Sequence, residues 1–383
     1  MEISPALGVD SGTVTISKGD LVYSRPLEFE DDTTTVLFAD LQPGIWLIAV
    51  ELRDADGFVL YDGGGSAEVL DGQVATAHIV LTELVGALEV VVELPTDSFT
   101  LVILPDTQYY SQTHHDVFHA QTQWIVDSVV DRRIVYVAHL GDIVEHGDNG
   151  GDDSEWQVAD AAMSRLETVL PPDGIPFGQA VGNHDQTPGG NPDGATVFYN
   201  QYFGESRFSG RAYYGGHYGE NNDNHYALFS AGGLDFIVVF FEFDHTPDQS
   251  ILDWAHGLLL DHSGRHAVVV THYLMGTGNP GNFSSQGQAI YDTLKECPNL
   301  FLMLGGHVNG EGYRQDTYQG HTVHSLLSDY QFHQDLGYLR IMEFSPADDE
   351  IRVMTYSPYI DSWQTGVDSE FTLSYEMGGV PCP

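Results

Sequence analysis

Five apolar runs in this 383-residue chain each give way to residues of the kinds that hold metal ions. Asp106-Thr107-Gln108 follows the run ending at Leu104, and Gly141-Asp142 follows Leu140. Gly182-Asn183-His184-Asp185 follows Val181, His272 stands two residues after Val270, and Gly305-Gly306-His307-Val308-Asn309 follows Leu304. Singly these signals are weak, since a Gly-Asp after a strand is usually a turn and a lone histidine usually belongs to a core or a surface. Together they supply Asp, Gln, Asp, Asn, His, His and Asn. That mixture of carboxylate, amide and imidazole suits a pair of divalent cations of borderline to hard character. A shared carboxylate, here Asp142, holds such a pair together.

Residues this far apart meet only if the scaffold brings them to one edge, as the C-terminal ends of strands do in an α/β sheet. From Phe99 onward, strand-like apolar runs at 101–104, 134–138, 177–181, 236–241, 267–270 and 300–304 alternate with helical periodicity. One helix is expected to open at Ser154, with Gln157 completing a capping box and Trp156, Ala159, Met163, Leu166 and Leu170 on its apolar face. A second is expected to open at Thr246-Pro247 with Gln249, placing Ile251, Leu252, Ala255, Leu258 and Leu259 on its apolar stripe. A third starts near Ser285 and carries Ala289, Ile290 and Leu294. These stripes are core. The pattern predicts an α/β domain over residues 97–383.

Residues 1–96 read differently. Trp46, Ile48, Val50 and Leu52 alternate with Ile45, Leu47, Ala49 and Glu51, and turn signals at 54–57, 63–65 and 71–72 separate such runs. This predicts a small all-β sandwich whose last strand covers 85–92, joined to the next domain at Pro95-Thr96-Asp97. It holds no cluster of catalytic residue types, which leaves a spacer role and carbohydrate or surface binding as its alternatives.

Charge excludes one class of partner. Against 56 Asp and Glu stand 13 Lys and Arg, for a net charge of −43, and only Lys18 and Lys295 are lysines. A nucleic-acid polymer would be repelled, because phosphate neutralisation by basic residues supplies most of such affinity. So acidic a surface suits salty or extracellular surroundings, where screening blunts self-repulsion. A secreted, periplasmic or cell-surface protein is therefore expected, its export signal absent from this chain. No apolar run is long enough for a membrane span. Cys297 and Cys382 are too few for a disulfide scaffold.

The ordered motifs resemble those of the calcineurin-like metallophosphoesterases: D-x-H, then GD, then GNH with D or E, then H, then GHxH. The resemblance runs from about Phe99 to Pro358, with Gly141-Asp142 and Gly182-Asn183-His184-Asp185 matching in full. It implies a β-sandwich flanked by helices, and two divalent ions drawn from Mn, Zn, Fe, Mg or Ca. It implies hydrolysis of a small phosphoester, mono- or diester, by a metal-bridging hydroxide. Carried over, the family roles make Asp142 the bridging ligand, with Asn183, His272 and His307 completing the second metal site. Asp106 falls to the first. His184 would serve the leaving oxygen, and Asp185 would orient its other nitrogen. Gln108 and Asn309 stand where the family has histidines, and both fall on the first metal. Amide oxygens there predict a weaker site that prefers harder ions.

Between Thr187 and Tyr226 a long segment rich in Gly, Asn, Tyr and His forms a candidate substrate wall. Arg207 and Arg211 either clamp a phosphate or pair with local carboxylates. Tyr213, Tyr214, Tyr218 and Asn222 are candidates to line a pocket for the leaving group. Glu145 and Glu311 are either extra ligands or solvated acids, His146 is close enough to Asp142 to support it, and His114, His115, His217, His324 and His333 receive no role. The rival from another class is a non-catalytic surface-binding protein on a degenerate metallophosphoesterase scaffold. Retention of His184 favours the enzyme.

Overall fold

Strands buried on both faces read as continuous apolar runs, whereas strands with one wet face alternate, and this chain contains both kinds. A computed structural model describes residues 9–27, 36–55, 57, 59–72, 74–77, 79–83, 87–90, 98–332 and 336–378. The chain divides into two units, Met1–Thr96 and Asp97–Pro383.

The first unit contains β1 (Ser11–Lys18), β2 (Leu21–Leu27), β3 (Gly44–Arg53), β4 (Val59–Val69), β5 (Ile79–Glu83) and β6 (Ala87–Val90). In β3, Trp46, Val50 and Leu52 are buried while Ile45 and Leu47 are exposed, so one face carries the small core with Tyr61 and Ile79. All six strands hydrogen-bond in one antiparallel sheet, ordered β2-β1-β3-β4-β5-β6, where a sandwich of two sheets was expected. The link is β4, which pairs along β3 and, through Tyr61 and Asp62, with β5. Of the strand expected over 85–92, residues 87–90 are found. The rest of it, and the joint at Pro95-Thr96-Asp97, lie outside the described residues.

The second unit opens with β7 (Phe99–Leu104), α1 (Gln108–Gln112), α2 (His115–Ser128), β8 (Ile134–His139), α3 (Ser154–Met163) and β9 (Phe177–Gln179). It continues through α4 (Val197–Phe203), α5 (Glu205–Phe208), β10 (Tyr214–His217), β11 (His225–Ala231), β12 (Leu234–Phe241), α6 (Gln249–Asp261) and β13 (His266–Thr271). It ends with α7 (Ser285–Leu294), β14 (Leu300–Gly305), β15 (Gly310–Tyr318), β16 (His321–Asp329), β17 (Leu339–Ser345), β18 (Glu350–Ser357), β19 (Ser362–Gln364) and β20 (Phe371–Ser374). One sheet runs β10-β11-β12-β13-β14-β16-β15, the other β19-β18-β17-β7-β8-β9 with β20 beside β18. β12, β13, β14 and β16 are parallel, as are β7, β8 and β9.

The sheets face each other across a common core. Phe236, Val238 and Phe240 of β12 join residues of β7 and β17 there, and the rings of Phe99 and Phe236 meet edge-on at 5.5 Å. Ile237, Val239 and Phe241 point the other way, onto Leu252, Leu259, Ile290 and Leu294 of α6 and α7. The unit is a β-sandwich with helices on its flanks. Of the expected helix starts, that of α3 holds at Ser154 with a different cap and that of α6 moves to Gln249. The cap of α3 is Asp153, whose carboxylate accepts from Gln157 Nε2 at 2.8 Å, in place of a Ser154 capping box. α6 is capped at Asp248. α7 starts as its sequence indicates, with Ser284 Oγ accepting from Gly287 N at 2.9 Å. Among the described residues no helix is long and apolar enough to cross a membrane.

Candidate metal centre

Every expected ligand lies at or just beyond a strand end: Asp106 past β7, Asp142 past β8, Asn183 past β9, His272 next after β13 and His307 past β14. Tight turns aim them. Asp142 and His307 have φ of 51° and 72°, a left-handed conformation uncommon outside glycine but accessible to Asp and His. Such backbone persists where the surroundings fix it, often at functional sites. Two glycines allow close approach. A Cβ on Gly182 would fall 2.1 Å from Asp142 N, and one on Gly306 would fall 2.4 Å from Asp106 Oδ1.

The imidazole of His272 is fully buried. Its Nδ1 lies 3.0 Å from Leu140 O, and because a carbonyl only accepts, Nδ1 carries the proton. Nε2 then faces Asp142 Oδ2 at 3.0 Å, Asn183 Oδ1 at 3.1 Å and His307 Nδ1 at 3.1 Å. Asp142, His272 and His307 offer ligand atoms all within 4.8 Å of one another. Asp106 adjoins them, with Oδ1 3.8 Å from His272 Nδ1 and Oδ2 3.3 Å from His307 N. His139, unassigned by the sequence, ties the first two loops. Gly141 N donates to its Nδ1 and its Nε2 bonds Thr107 Oγ1. Burial, followed by the neighbouring His272, pushes its pKa down to about 3, which keeps it neutral.

The residues present fit cations. Gln108 Oε1, Asn309 Oδ1 and Asp329 Oδ2 are buried with no hydrogen-bond partner. Such orphans are rare because each costs about 1–3 kcal/mol. Burial raises the Asp106 carboxyl well above the usual range, and the charges of Asp329, Asp142 and Asp185 raise it further. Buried carboxylates crowded together need a counter-charge, and a divalent ion would supply it while engaging the orphaned oxygens.

His184 is part-buried, and its Nδ1 donates to Glu145 O at 2.9 Å, with Glu145 Oε2 at 3.5 Å. Its amide donates to Asp142 Oδ1 at 2.8 Å. The expectation that Asp185 orients this ring is corrected. Asp185 Oδ1 accepts from Ile143 N and Val144 N, and Oδ2 from Gly182 N, so its carboxylate staples the Asp142 loop to the Asn183 loop. Glu145 does the orienting. His146 is held by Glu155, Nδ1 to Oε1 at 2.9 Å.

The phosphate clamp is also corrected. Arg207 binds Asp160, Glu167 and Ser164 at 2.7–2.9 Å and lies over Phe203. Arg211 binds Glu167 and Asp173 O. Both forks are filled, Arg207 by Asp160, Glu167, Ser164 and Tyr202 O, and Arg211 by Glu167 and the carbonyls of Arg207 and Asp173. Tyr213 is buried beside Arg211, Tyr214 donates to Asn222 Oδ1, and Tyr218 packs on Trp254. These contacts order the segment internally. Glu311 is neither ligand nor solvated, since it accepts from Arg340, Tyr330, Thr355 and Ser369. His324 is buried against Tyr313 and Ser374 O, and His217 bonds Tyr214. Cys297 is buried in the helix-side core, while Cys382 and His333 lie outside the described residues.

Residues missed in the sequence include Phe243 and Tyr273, whose rings lie 5.5 and 4.8 Å from that of His307. Asp329 and Gln331 were missed as well. Phe243 closes no regular pattern, but Tyr273 directly follows His272 and Asp329 ends a strand, a signal of the kind already used.

No protein-family model matches the chain. It is 36% identical over 298 residues, 73% of its length, to the uncharacterized protein YvnB of Bacillus subtilis (strain 168), of which it spans 22%. Among solved structures it is similar to GAP50, the anchor in the inner membrane complex of Plasmodium. That match has 12% identity, covers 73% of this chain and 89% of GAP50, and has a TM-score of 0.44. It is also similar to a conserved Streptococcus pneumoniae protein described as a predicted phosphoesterase, at 10% identity and a TM-score of 0.31, covering 72% and 98%.

Proposed function

We propose that the chain is a metal-dependent hydrolase of small phosphoesters, with two divalent cations at the strand-end cluster. The observation that carries this reading is the convergence of Asp142 Oδ2, Asn183 Oδ1 and His307 Nδ1 within hydrogen-bond distance of His272 Nε2. When bound, the cations supply Lewis acidity toward phosphoryl oxygens and lower the pKa of water. Asp142 would be shared between them, Asn183, His272 and His307 would hold the second, and Asp106, Gln108 and Asn309 would serve the first. His184 moves a proton at the leaving oxygen. With Nδ1 committed to Glu145 O, its Nε2 is the nitrogen that titrates.

Stripped protein reconstituted with Mn²⁺, Zn²⁺, Mg²⁺ or Ca²⁺ should hydrolyse chromogenic phosphomonoesters or diesters. Absence of turnover with both cations bound would refute the hydrolase and leave a binding protein on the same scaffold.

A further inference from the structure

Asp329 ends β16 at the level of the cluster. Leu327 stands opposite Gly305 in parallel register, and the antiparallel register with β15 sets Asp329 across from Gly310, next to Asn309. Its side chain is 0% exposed. Oδ1 accepts from Gln331 N at 2.8 Å, while Oδ2 has no partner. A carboxylate oxygen in that position is costly unless something engages it.

Gln331 explains a second orphan. Its Nε2 donates to His307 O at 3.4 Å, which fixes its amide and turns Oε1 toward Gln108 Nε2 at 2.5 Å. With its nitrogen so held, Gln108 keeps Oε1 unpartnered although the residue is 2% exposed. Asn309 Oδ1 is the third orphan. Gln331 thus ties Asp329 through its backbone N–H, and Gln108 and His307 through its side chain, which sets Asp329 beside the residues of the first site.

We infer that Asp329 is a ligand of the first cation, completing with Asp106, Asp142, Gln108 and Asn309 an all-oxygen site. Three carboxylates and two amide oxygens select a hard ion, Mg²⁺, Mn²⁺ or Ca²⁺, over zinc. Asp329 thereby compensates for the two imidazoles that Gln108 and Asn309 replace. The inference rests on the two-cation reading above, but its test is metal binding.

Stripped wild-type protein and Asp329→Asn are titrated with Mn²⁺ by calorimetry, with metal content and melting temperature measured in parallel. The wild type should show two steps, and Asp329→Asn should weaken one of them by ~10-fold or more, since even partners outside the ligand shell carry that much. Zinc binding at His272 and His307 should persist. Metal-free Asp329→Asn should melt no lower than the wild type, because a crowding charge is removed, and should gain less on adding Mn²⁺. A merely structural Asp329 would lower the metal-free melting point. Asp329→Glu keeps the charge on a longer arm and should change the ratio of Ca²⁺ to Mg²⁺ affinity at the same step. Two unaltered Mn²⁺ steps in Asp329→Asn, or a single Mn²⁺ step in the wild type, would overturn the assignment. If both ions bind as expected and no phosphoester is cleaved, the proposed activity fails while the Asp329 assignment stands.

Discussion

Asp185 separates two kinds of explanation for one carboxylate, and its replacement gives results that differ in kind. Three backbone N–H groups, at 2.7, 2.9 and 3.1 Å, converge on it, from Gly182, Ile143 and Val144. The carboxyl is buried, and burial together with the Asp142 charge presses its pKa up to about 7 against the pull of those donors. Asp185→Ala strands three buried donors at about 1–3 kcal/mol each. Relief of the crowded charge and local relaxation return part of this, and a net loss of ~3–5 kcal/mol is expected. Asp185→Asn keeps the pair of bonds at one oxygen and turns an amide NH₂ against one N–H, for a loss of ~1–3 kcal/mol. Urea unfolding of stripped protein measures both, alongside bound metal. Freed from the staple, the two loops should hold Asp142 and Asn183 less well, and metal content should fall with stability. If Asp185→Ala stays within about 1 kcal/mol of the wild type while turnover collapses, the staple is wrong and the residue acts on His184 after all.

His184→Ala should lower turnover with metal content preserved, and the loss should grow as the leaving group becomes more basic. Equal losses across a series of phenol leaving groups would remove His184 from proton transfer. Arg207→Ala should cost ~1–3 kcal/mol in unfolding free energy through lost pairing with partly exposed Asp160 and Glu167, discounted for screening. KM for a phosphoester should be unchanged, and a raised KM would restore the clamp. Glu242 is pushed up to about 8, first by burial and then by Asp223. Its folded form therefore holds a proton that the unfolded chain releases near pH 4.5, so its contribution is full below that pH and is lost as pH rises toward 8. Glu242→Gln should gain at least ~1 kcal/mol over the wild type at pH 8 and nothing at pH 4. Equal effects at both pH values would refute it.

The fold was legible where burial is two-sided. β7, β12, β13 and β14 are apolar on both faces because helices cover one and the opposing sheet covers the other, so their sequences carry unbroken runs. β15 pairs at the edge of its sheet and reads Gly-Glu-Gly-Tyr-Arg-Gln-Asp-Thr-Tyr, with only Gly312 buried. Periodicity has nothing to register there. The roles of Arg207 and Arg211 were undecidable in sequence for another reason. Asp160, within α3, pairs with Arg207, and Glu167, just beyond α3, pairs with both, at least forty residues away in the chain, and any of 56 acidic residues was an equal candidate.

The site shows the same boundary at finer scale. Asp142, Asn183, His272 and His307 were readable because each stands two or three residues after an apolar run, and the run dictates that a strand delivers it. Asp185 sits in the same motif, yet its role depends on which donors face it across forty residues, and only the packed loops decide that. Asp329 obeys the strand-end rule as well as any of them, but β16 hides it. His324 and Ser325 interrupt Val323-His324-Ser325-Leu326-Leu327 because His324 is paired with Tyr313 and Ser374 in the interior, so the run looks broken although the strand is buried along nearly its whole length. A strand interrupted by a partnered polar residue such as His324 is as good a delivery arm as an aliphatic one. A replacement for the two imidazoles absent from the proposed first cation site is therefore best sought at the ends of such strands, where Asp329 presents an unpartnered oxygen, as do the amides of Gln108 and Asn309.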